Sequence, residues 1–522
     1  MSRATRRSSK RRQGMILLVV LVVVAMLSLA ALTFAELMMA ERQAAEMSVR
    51  QAQARAAAES GIEMARMFLA QDPKTALEAG GSYDNAAYFR GAVVDERLRS
   101  GGRSRCTIVS PATVEGASSA IRFGLEDEST KLNLNALLAA DKAVPDGARQ
   151  VLMGLPGMNE YIADAILDWL DEDEEPREFG AELEAYASLA IPYAPRNGPI
   201  DSIEELLLVQ GVTPGLLFGL DANHNGVVDA AEQANEALLG VDNSDGSMSR
   251  GWAAYLTLFS LEANVQPDGS PRINVGQSDL KKLYDELSQV DPQWATFIVA
   301  YRQNGPYLVD GTSSTLLNYV TSGEIDLEKP ANSKGNLKTV LDLIGKPVQV
   351  TFKGQKDPAV LQTPFPEDPI QMGLYLPKLM DTLTVNTAKV IPARININQA
   401  PQAVISGIPG MSPEIVEQIL AGREPDPAKM DDNQRHETWL LSQGIVPLDQ
   451  MKLIMPFVSG GGSVYRVQSV GYSDEGGPYA RIEAVLDASA GGKSPRVIFW
   501  RDISHLGRGY SLETLGLGLP GE

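Results

Sequence analysis

Residues 15–34 read MILLVVLVVVAMLSLAALTF, twenty residues without a charge. As an α-helix this run would span about 30 Å, which matches the hydrocarbon thickness of a bilayer. Six cations and no acid precede it in residues 1–14, so the positive-inside rule places the N-terminus in the cytoplasm and the remaining chain outside it. A secretory signal has a shorter apolar core followed by a small-residue cleavage site, and this run has neither feature. The sequence therefore predicts a membrane anchor.

The helical pattern continues beyond the anchor. Residues 36–70 are rich in alanine and contain no proline, and Gly61 is their only glycine. Such a composition favours an uninterrupted helix. We therefore expect residues 15–70 to form one long helix whose first part crosses the membrane.

The junction between the basic leader and the apolar run resembles the class III signal of type IV pilins and type II secretion pseudopilins. This resemblance implies that prepilin peptidase cuts between Gly14 and Met15 and that the new N-terminus is methylated. Most such proteins carry Glu at the fifth mature position, where this chain has Val19. An apolar residue there is typical of the K family of minor pseudopilins. That Glu pairs with the N-terminal ammonium of a neighbouring subunit inside the filament, so a subunit without it suits the filament tip.

Composition and charge exclude several classes of protein. With 46 Lys and Arg against 66 Asp and Glu, the net charge is 46 − 66 = −20, which disfavours nucleic-acid binding. Removal of the leader, with its six cations, would change the net charge to 40 − 66 = −26. Cys106 is the only cysteine, so the chain has neither an intramolecular disulfide nor a cysteine-cluster zinc site. The sequence has no Gly-rich phosphate loop and no G-x-S-x-G motif, and we expect no enzymatic activity.

The middle of the chain is internally repetitive. Three segments share one pattern, namely residues 131–170, 272–302 and 394–423. Each begins with an alternating Ile/Leu–Asn segment that predicts a short strand, followed by a helix, a tight turn and a second helix. A half-copy follows each segment, beginning at Ser202, Leu337 and Thr438. We interpret these segments as three related α-helical modules.

Two of the turns, GLPGM at residues 154–158 and GIPGM at 407–411, resemble helix-hairpin-helix elements. In DNA-binding proteins such turns offer backbone N–H groups to phosphate. Here the usual second glycine is replaced by Asn159 and Ser412. Residues 168–182, at the end of the helix that follows the first turn, contain eight carboxylates and one arginine. We therefore expect these turns to pack helices rather than to bind DNA.

Residues 221–232 read DANHNGVVDAAE and match the calcium-loop pattern D-x-[DN]-x-[DN]-G-x5-E of EF-hands. Calcium takes six to eight oxygen ligands, and Gly226 permits the sharp turn that the loop requires. The expected ligands are the side chains of Asp221, Asn223, Asn225, Asp229 and Glu232 and the carbonyl of Val227. Because only three of them are charged, we expect a weak Kd of about 10⁻⁴–10⁻³ M. The alternative is a turn rich in Asp, Asn and Gly that binds no ion.

The modules extend the resemblance to the K family. The segments FGLEDESTKLNLNAL, DWLDEDEEPREFGAE and ININQAP follow one another in the family's order, across about residues 122–215 and 394–502. Family members bind calcium in this helical domain, which implies a second site at Asp168, Asp171 and Asp173. A solvated acidic loop remains the alternative. Residues 252–391 do not follow the family pattern and represent an enlargement.

Alternating segments flank the modules. Strands are predicted at residues 105–109, 120–126, 464–472, 479–487 and 496–502, with turn signals between the last three. We expect the strands on either side of the modules to pair. The predicted fold class is α+β: a long N-terminal transmembrane helix and a pilin-like antiparallel sheet, interrupted by a large α-helical insertion with helix-hairpin-helix-like modules. Residues 362–378 are proline-rich and predicted to be irregular.

These patterns divide the chain into eight parts. They are a basic prepilin leader (1–14), the transmembrane and pilin-type helix (15–70), the first part of the pilin-like domain (71–130), module one with the EF-hand-like loop (131–250), the enlarged middle module with the Pro-rich segment (251–391), module three (392–460), the C-terminal strands (461–504) and a flexible tail (505–522).

The resemblance implies a minor pseudopilin at the tip of a type II secretion pseudopilus, a non-catalytic component for protein export across the outer membrane. Its implied partners are the other minor pseudopilins, the major pseudopilin, prepilin peptidase and the inner membrane, which it would cross once with a cytoplasmic N-terminus and a periplasmic C-terminal domain. No nucleic acid is expected, and Ca²⁺ is the expected cofactor. The alternative is a membrane-anchored helix-hairpin-helix DNA-binding protein of a DNA-uptake system, which would need an electropositive face on the modules.

Overall fold

The computed structural model describes residues 12–96, 102–112, 121–307, 318–490 and 494–518. Residues 1–11 of the predicted leader lie outside this part, as do Ala120, where one predicted strand begins, and the last four residues of the chain. The predicted cleavage junction falls inside the first helix, near its beginning.

The described chain contains the following elements. The helices are α1 (Arg12–Leu69), α2 (Pro73–Glu78), α3 (Ala86–Phe89), α4 (Ala139–Ala143), α5 (Gly147–Met153), α6 (Glu160–Leu170), α7 (Leu183–Ala187), α8 (Pro214–Phe218), α9 (Ala230–Gln233), α10 (Leu280–Val290), α11 (Pro292–Asn304), α12 (Pro369–Thr382), α13 (Gln402–Ser406), α14 (Pro413–Gly422), α15 (Trp439–Ser442) and α16 (Leu448–Ile454). The strands are β1 (Ala92–Asp95), β2 (Ser104–Pro111), β3 (Ile121–Arg122), β4 (Glu126–Asp127), β5 (Leu132–Asn133), β6 (Leu256–Thr257), β7 (Leu261–Ala263), β8 (Ile273–Asn274), β9 (Asn318–Val320), β10 (Val348–Val350), β11 (Ala359–Leu361), β12 (Leu383–Thr384), β13 (Val390–Pro392), β14 (Ile395–Asn396), β15 (Val458–Ser459), β16 (Val464–Ser473), β17 (Ala480–Asp487) and β18 (Arg496–Asp502).

Helix α1 is continuous over 58 residues, as the sequence predicts. Its side chains are exposed throughout residues 15–49, and by length and apolar composition it can cross a membrane. Its C-terminal part buries small and apolar side chains against the sheet at helical spacing, namely Ala54, Ala58, Ile62, Ala65 and Phe68. The N-terminal half of α1 is thus apolar and unpacked, whereas its C-terminal half belongs to the core.

Two glycines bring α1 very close to the sheet. A Cβ atom on Gly61 would lie 2.2 Å from Ser469 Oγ, and a Cβ atom on Gly471 would lie 2.0 Å from the carbonyl oxygen of Ala54. Neither contact tolerates a side chain. The glycine that interrupts the alanine-rich helix is therefore a packing residue.

The central sheet has the order β1-β2-β16-β17-β18, with neighbouring strands antiparallel. Strand β2 precedes the helical modules and β16 follows them, and the two pair from Val109 with Gln468 to Ser104 with Ser473. The predicted pairing across the insertion is confirmed, and with it the α+β fold class. Everything between β4 and β16 is inserted between strands of this one sheet.

The strand predicted at residues 120–126 is wrong in its extent. The described part forms two short strands, β3 on β2 and β4 on β16. Between them the backbone leaves the sheet, because Leu125 N donates to Ser82 O at 2.8 Å and Phe123 O accepts from Asn85 N at 2.7 Å. A Cβ on Gly124 would lie 2.1 Å from Tyr83 O, so this approach requires glycine.

The three modules share one hydrophobic core, which extends in sequence from Leu132 to Val458. Their opening segments are closed in the same way, each by a parallel two-residue pairing with a later segment. For module one that segment is β6, which lies just beyond the predicted end of the module at residue 250. The pairs are β5 with β6, β8 with β12, and β14 with β15. The sequence repeat is therefore also a repeat of tertiary structure.

Two segments predicted to lack regular structure are ordered. The Pro-rich segment contains α12, because Asp368 caps its N-terminus, Pro369 occupies the first turn, and Met372, Leu376 and Leu379 are buried. The prediction of a flexible tail is wrong for residues 505–518. Leu515 is fully buried there, and its carbonyl accepts from Thr107 Oγ1 at 2.8 Å.

Candidate cation sites in the helical insertion

Three carboxylates converge in the loop that follows α6. Asp171, Asp173 and Glu182 each place an oxygen within 4.8 Å of the others. Glu182 is 5% exposed, although it is a charged residue on a chain surface rich in acids. Oxygen ligands at this mutual distance are the donor set that a hard cation such as calcium prefers.

Several oxygens around this acidic cluster have no hydrogen-bond partner among the described residues. They are Asp171 Oδ1, Glu182 Oε1 and Asn197 Oδ1. Asn197 is oriented by its amide nitrogen, which donates to Asp173 O at 2.7 Å. Buried polar atoms are usually paired, so orphaned oxygens in one place require an explanation, and a bound cation would satisfy them together.

The electrostatics of the cluster favour a positive ligand. Burial raises the pKa of Glu182 to about 7, and the charges of Asp168 and Asp171 add to this effect. Burial and the charge of Asp173 raise the pKa of Asp171 to about 6. Neighbouring carboxyl groups that are held out of water are harder to ionise, because their negative charges repel one another. A bound divalent cation offsets this repulsion.

The structure brings together a group of carboxylates that differs from the one the sequence predicts here, and calcium at either group stays a prediction. Asp168 is fully buried but lies outside the converging group, because its carboxylate accepts from Arg177 N at 3.2 Å and faces Arg177 Nε at 3.4 Å. Glu182 completes the group of three carboxylates, and Asn197 lies beside it, since its Nδ2 donates to Glu182 Oε2 at 3.5 Å. Glu182 belonged to the acidic run read from the sequence, whereas nothing in the spacing of Asn197 pointed to this site.

The loop at residues 221–232 adopts a closed turn. Asp221 accepts from Asn225 N at 3.0 Å and from Gly226 N at 2.8 Å. Glu232 accepts from Asn223 N at 3.2 Å and from Asp229 N at 3.1 Å. Gly226 has φ +77°, so glycine is favoured at this position. The motif residues thus share one turn.

The carboxylates of this loop are already bonded to its own backbone. Asp229 caps α9 by accepting from Ala231 N at 2.8 Å, and among the described residues the loop acids do not form a group within 4.8 Å of one another. Val227 is half-buried, and Asn223 Oδ1 is buried without a described partner. This geometry agrees with the non-binding turn as well as with a calcium loop, so calcium at this loop stays a prediction.

The loop is docked on the central sheet and on the C-terminal tail. From β17, the buried Arg481 donates to the carbonyls of Asn223, at 2.7 Å, and His224. From the tail, Tyr510 Oη donates to Asn225 O at 2.8 Å, and Asn225 Nδ2 donates to Gly509 O at 2.6 Å. The loop therefore joins the insertion to the sheet.

An ion network that is buried at Glu128 and Glu483 extends this junction. Arg466 on β16 bonds Glu128 and Glu483 at 2.6 Å each, and Arg501 on β18 bonds Glu483 at 2.8 Å and Glu204 at 2.6 Å. Burial opposes the charge of Glu483, but Arg466 and Arg501 outweigh this effect and lower its pKa to about 2. A cavity of about 100 Å³ lies beside the network, between the sheet and the loop.

The two GxPGM turns pack against each other. A Cβ on Gly154 would lie 2.6 Å from Gly407 Cα, and a Cβ on Gly407 would lie 2.4 Å from Val151 O. Asn159 and Ser412, which replace the second glycine, cap α6 and α14. These contacts support helix packing, while the likeness to DNA-binding hairpins stays a prediction.

Residues 130–221 match the family model of type II secretion system (T2SS), protein K. The expected resemblance to the K family is confirmed. Type II secretion system protein K of Pseudomonas aeruginosa is 36% identical over 97 residues, which are 17% of this chain and 29% of that protein. The protein of the same name from Pectobacterium carotovorum subsp. carotovorum is 40% identical over 57 residues, 11% of this chain and 17% of that protein. The matched part thus spans less than a third of these relatives.

A solved structure also aligns with the chain. It is the GspK-GspI-GspJ complex from the type 2 secretion system of enterotoxigenic Escherichia coli. One of its chains aligns over 89% of this chain and 98% of its own length, at 13% sequence identity and a TM-score of 0.30. At that TM-score the likeness carries no argument.

Proposed function

We propose that this chain is a minor pseudopilin at the tip of a type II secretion pseudopilus, a non-catalytic part of the apparatus for protein export. The observation that carries the proposal is the combination of a K-family module with a long N-terminal helix packed on an interrupted antiparallel sheet. The family match points to the secretion system, and the helix supplies the element by which pilin-like subunits assemble.

The shape of the molecule supports a place at the tip. The exposed apolar half of α1 is available to the membrane and to the helices of other subunits. The insertion between β4 and β16 is much larger than the sheet that carries it, and such bulk would block further subunits from adding above it. Val19 lacks the carboxylate with which an interior subunit would bind its neighbour's N-terminus.

The proposed partners are the other minor pseudopilins, the major pseudopilin and prepilin peptidase. The proposed location is the inner membrane, crossed once, with the large domain in the periplasm. A DNA-uptake protein is not favoured, because the matched family belongs to secretion and the segment after the first hairpin is strongly acidic.

We further propose that the acidic cluster binds Ca²⁺ through Asp171, Asp173, Glu182 and Asn197, with Asp168 positioning the loop. The orphaned oxygens support this assignment. The loop of residues 221–232 is proposed as a second and weaker calcium site, supported by its motif and by the buried Asn223 Oδ1.

The test of the tip assignment is purification from cells that hold the complete secretion system. Full-length tagged chain should co-purify with smaller pseudopilins, and mass spectrometry should find Met15 as a methylated N-terminus. Gly14→Ala, which removes the residue before the cut, should leave the leader in place, whereas Ser9→Ala should be processed normally. An intact leader on the parent chain, or a purified chain free of other pseudopilins, would contradict the proposal.

A further inference from the structure

One segment of the insertion concentrates the negative charge of the whole chain. Residues 160–205 contain fourteen acids and two arginines, a balance of 2 − 14 = −12 out of −20 for the chain. Both arginines are already engaged: Arg177 lies 3.4 Å from Asp168 and Asp171, and Arg196 bonds Asp201 at 2.7 Å and Glu205 at 3.0 Å. The exposed acids are Glu160, Glu172, Asp173, Glu174, Glu175, Glu178, Glu184 and Asp201.

An apolar patch lies within this acidic surface. It consists of Leu189, Ile191, Leu207 and Leu208, which are 45%, 82%, 36% and 48% exposed. The two stretches that carry it are adjacent, because Tyr193 Oη donates to Leu208 O at 2.7 Å and Gln210 N donates to Tyr186 Oη at 3.3 Å. Large exposed apolar side chains gathered in one place mark an interaction surface more often than isolated ones do.

The patch rests on a rigid base. The rings of Tyr186 and Tyr193 are 5.3 Å apart, and the Trp169 ring lies 5.3 Å from that of Tyr186. Trp169 and Tyr186 are almost completely buried. A surface that is already ordered loses little conformational entropy when it binds a partner.

We propose that this acidic–apolar surface of residues 160–208 binds a basic, apolar segment of a partner protein. The charge selects this occupant: a balance of −12, or −12 + 2 = −10 with one Ca²⁺ in the acidic cluster, repels nucleic acid and anionic lipid headgroups but attracts Lys and Arg. The apolar patch selects a segment that also carries large aliphatic side chains. The inference goes beyond the role as a filament tip and does not depend on it.

The probe is a fluorescent 18-residue peptide of Lys and Leu, spaced to form an amphipathic helix. It is titrated against the full chain in nanodiscs of phosphatidylcholine, with empty nanodiscs subtracted. We expect saturable binding that weakens as salt is added, and slower hydrogen exchange at residues 186–193 and 205–210. A peptide with Glu in place of each Lys should not bind, and equal binding of that peptide would overturn the proposal.

Paired variants test the location. Leu189→Ser with Ile191→Ser should weaken binding at least about tenfold, because the apolar contacts are lost. Ile370→Ser with Leu374→Ser is the matched control, since these residues are 80% and 79% exposed on α12, outside the surface. The control should bind like the parent. Equal loss in both variants, or no loss in the first, would overturn the proposal.

A third variant tests the charge. Glu172→Gln with Glu174→Gln and Glu175→Gln removes three exposed charges without touching the patch, and should weaken binding several-fold and flatten its salt dependence. An unchanged salt dependence would overturn the role assigned to charge. Protection of residues 186–193 that rises with protein concentration in the absence of peptide would identify a second copy of the chain as the occupant, and would also overturn the proposal.

Discussion

At the two candidate cation sites, the sequence motif and the geometry of the carboxylates disagree, and they disagree in opposite directions. The loop of residues 221–232 matches a calcium motif position by position, yet its carboxylates are bonded to its own backbone N–H groups. The acidic cluster matches no motif, yet it gathers three carboxylates within 4.8 Å and leaves buried oxygens unpaired among the described residues. A motif specifies spacing along the chain, whereas a binding site requires donors that are free and convergent in space.

The scaffolds of the two sites also differ. The loop depends on the sheet and the tail, through Arg481 and Tyr510, while the cluster depends on α6 and α7 within the insertion. Substitutions in the sheet or the tail should therefore affect the loop, whereas substitutions in α6 or α7 should affect the cluster.

The largest effect is expected at the junction. Arg466→Met leaves the buried Glu128 and Glu483 without one of their cations, and should reduce the free energy of unfolding by about 3 kcal/mol. Calcium binding at the loop should weaken with it, while binding at the cluster should not. Thermal melting and calorimetry with calcium measure both effects.

Lys353→Met is the control for the junction, because Lys353 pairs with Glu324 at 3.2 Å in the middle module and the two side chains are 65% and 74% exposed. It should cost less than about 1 kcal/mol. If the two variants lose equal stability, the ion network does not hold the junction.

The next effect concerns the cluster. Calcium at a hundredfold excess over Kd should stabilise the parent by about 2.7 kcal/mol, and Glu182→Gln should remove most of this gain by deleting a charged ligand. Glu184→Gln, an exposed acid two residues away, should respond to calcium like the parent. A calcium-dependent melting shift retained by Glu182→Gln would contradict the ligand set.

The cluster and the ion network should also respond to pH with opposite signs. The pKa of Glu182 is raised to about 7, so without calcium the folded state binds the proton more tightly than the unfolded state, and stability should fall as pH rises from about 4.5 to 7. The pKa of Glu483 is lowered to about 2, so its contribution is present above pH 4.5 and lost as pH falls towards 2.

Melting in a calcium chelator across pH 4–8 measures the first of these trends. Glu182→Gln should flatten the stability profile between pH 5 and 7, and Glu184→Gln should leave it unchanged. A profile that rises across this range in the parent and is insensitive to Glu182→Gln would show that the cluster is not desolvated as the structure has it.

The smallest effect is expected at the motif loop. With a Kd near 10⁻³ M and calcium a few millimolar, the loop should add only about 1 kcal/mol of stability. Glu232→Gln keeps an oxygen acceptor for Asn223 N and removes one charge, so it should abolish this increment with little cost in the absence of calcium. Asp242→Asn, on an exposed turn nearby, serves as control. No calorimetric difference between Glu232→Gln and the parent would make the loop a turn only.

Local patterns predicted the parts of the fold that depend on neighbouring residues. The apolar run and its alanine-rich continuation indicated α1, and the alternating segments indicated the long strands of the sheet. The same approach failed at α12, where the two prolines suggested irregular backbone, although one occupies the first turn and buried side chains hold the rest. It also failed at the tail, because Leu515 packs with Val109 and Tyr472 on two strands of the sheet, and Val109 lies about four hundred residues earlier in the chain.

The sequence by itself determined the membrane anchor, the repeat of the modules, the insertion in a single sheet and the K-family resemblance. The first three follow from hydrophobic periodicity, composition and order along the chain, and the resemblance rests on the leader junction and the motifs of the modules. The tertiary structure decided which oxygens are free. It turned Asp168 towards Arg177, brought Glu182 to Asp171 and Asp173, and satisfied Asp221 with the loop's own N–H groups. The physical reason is that ligand convergence depends on how distant segments pack, and desolvation of the resulting cluster is a property of the whole core rather than of any short stretch of residues.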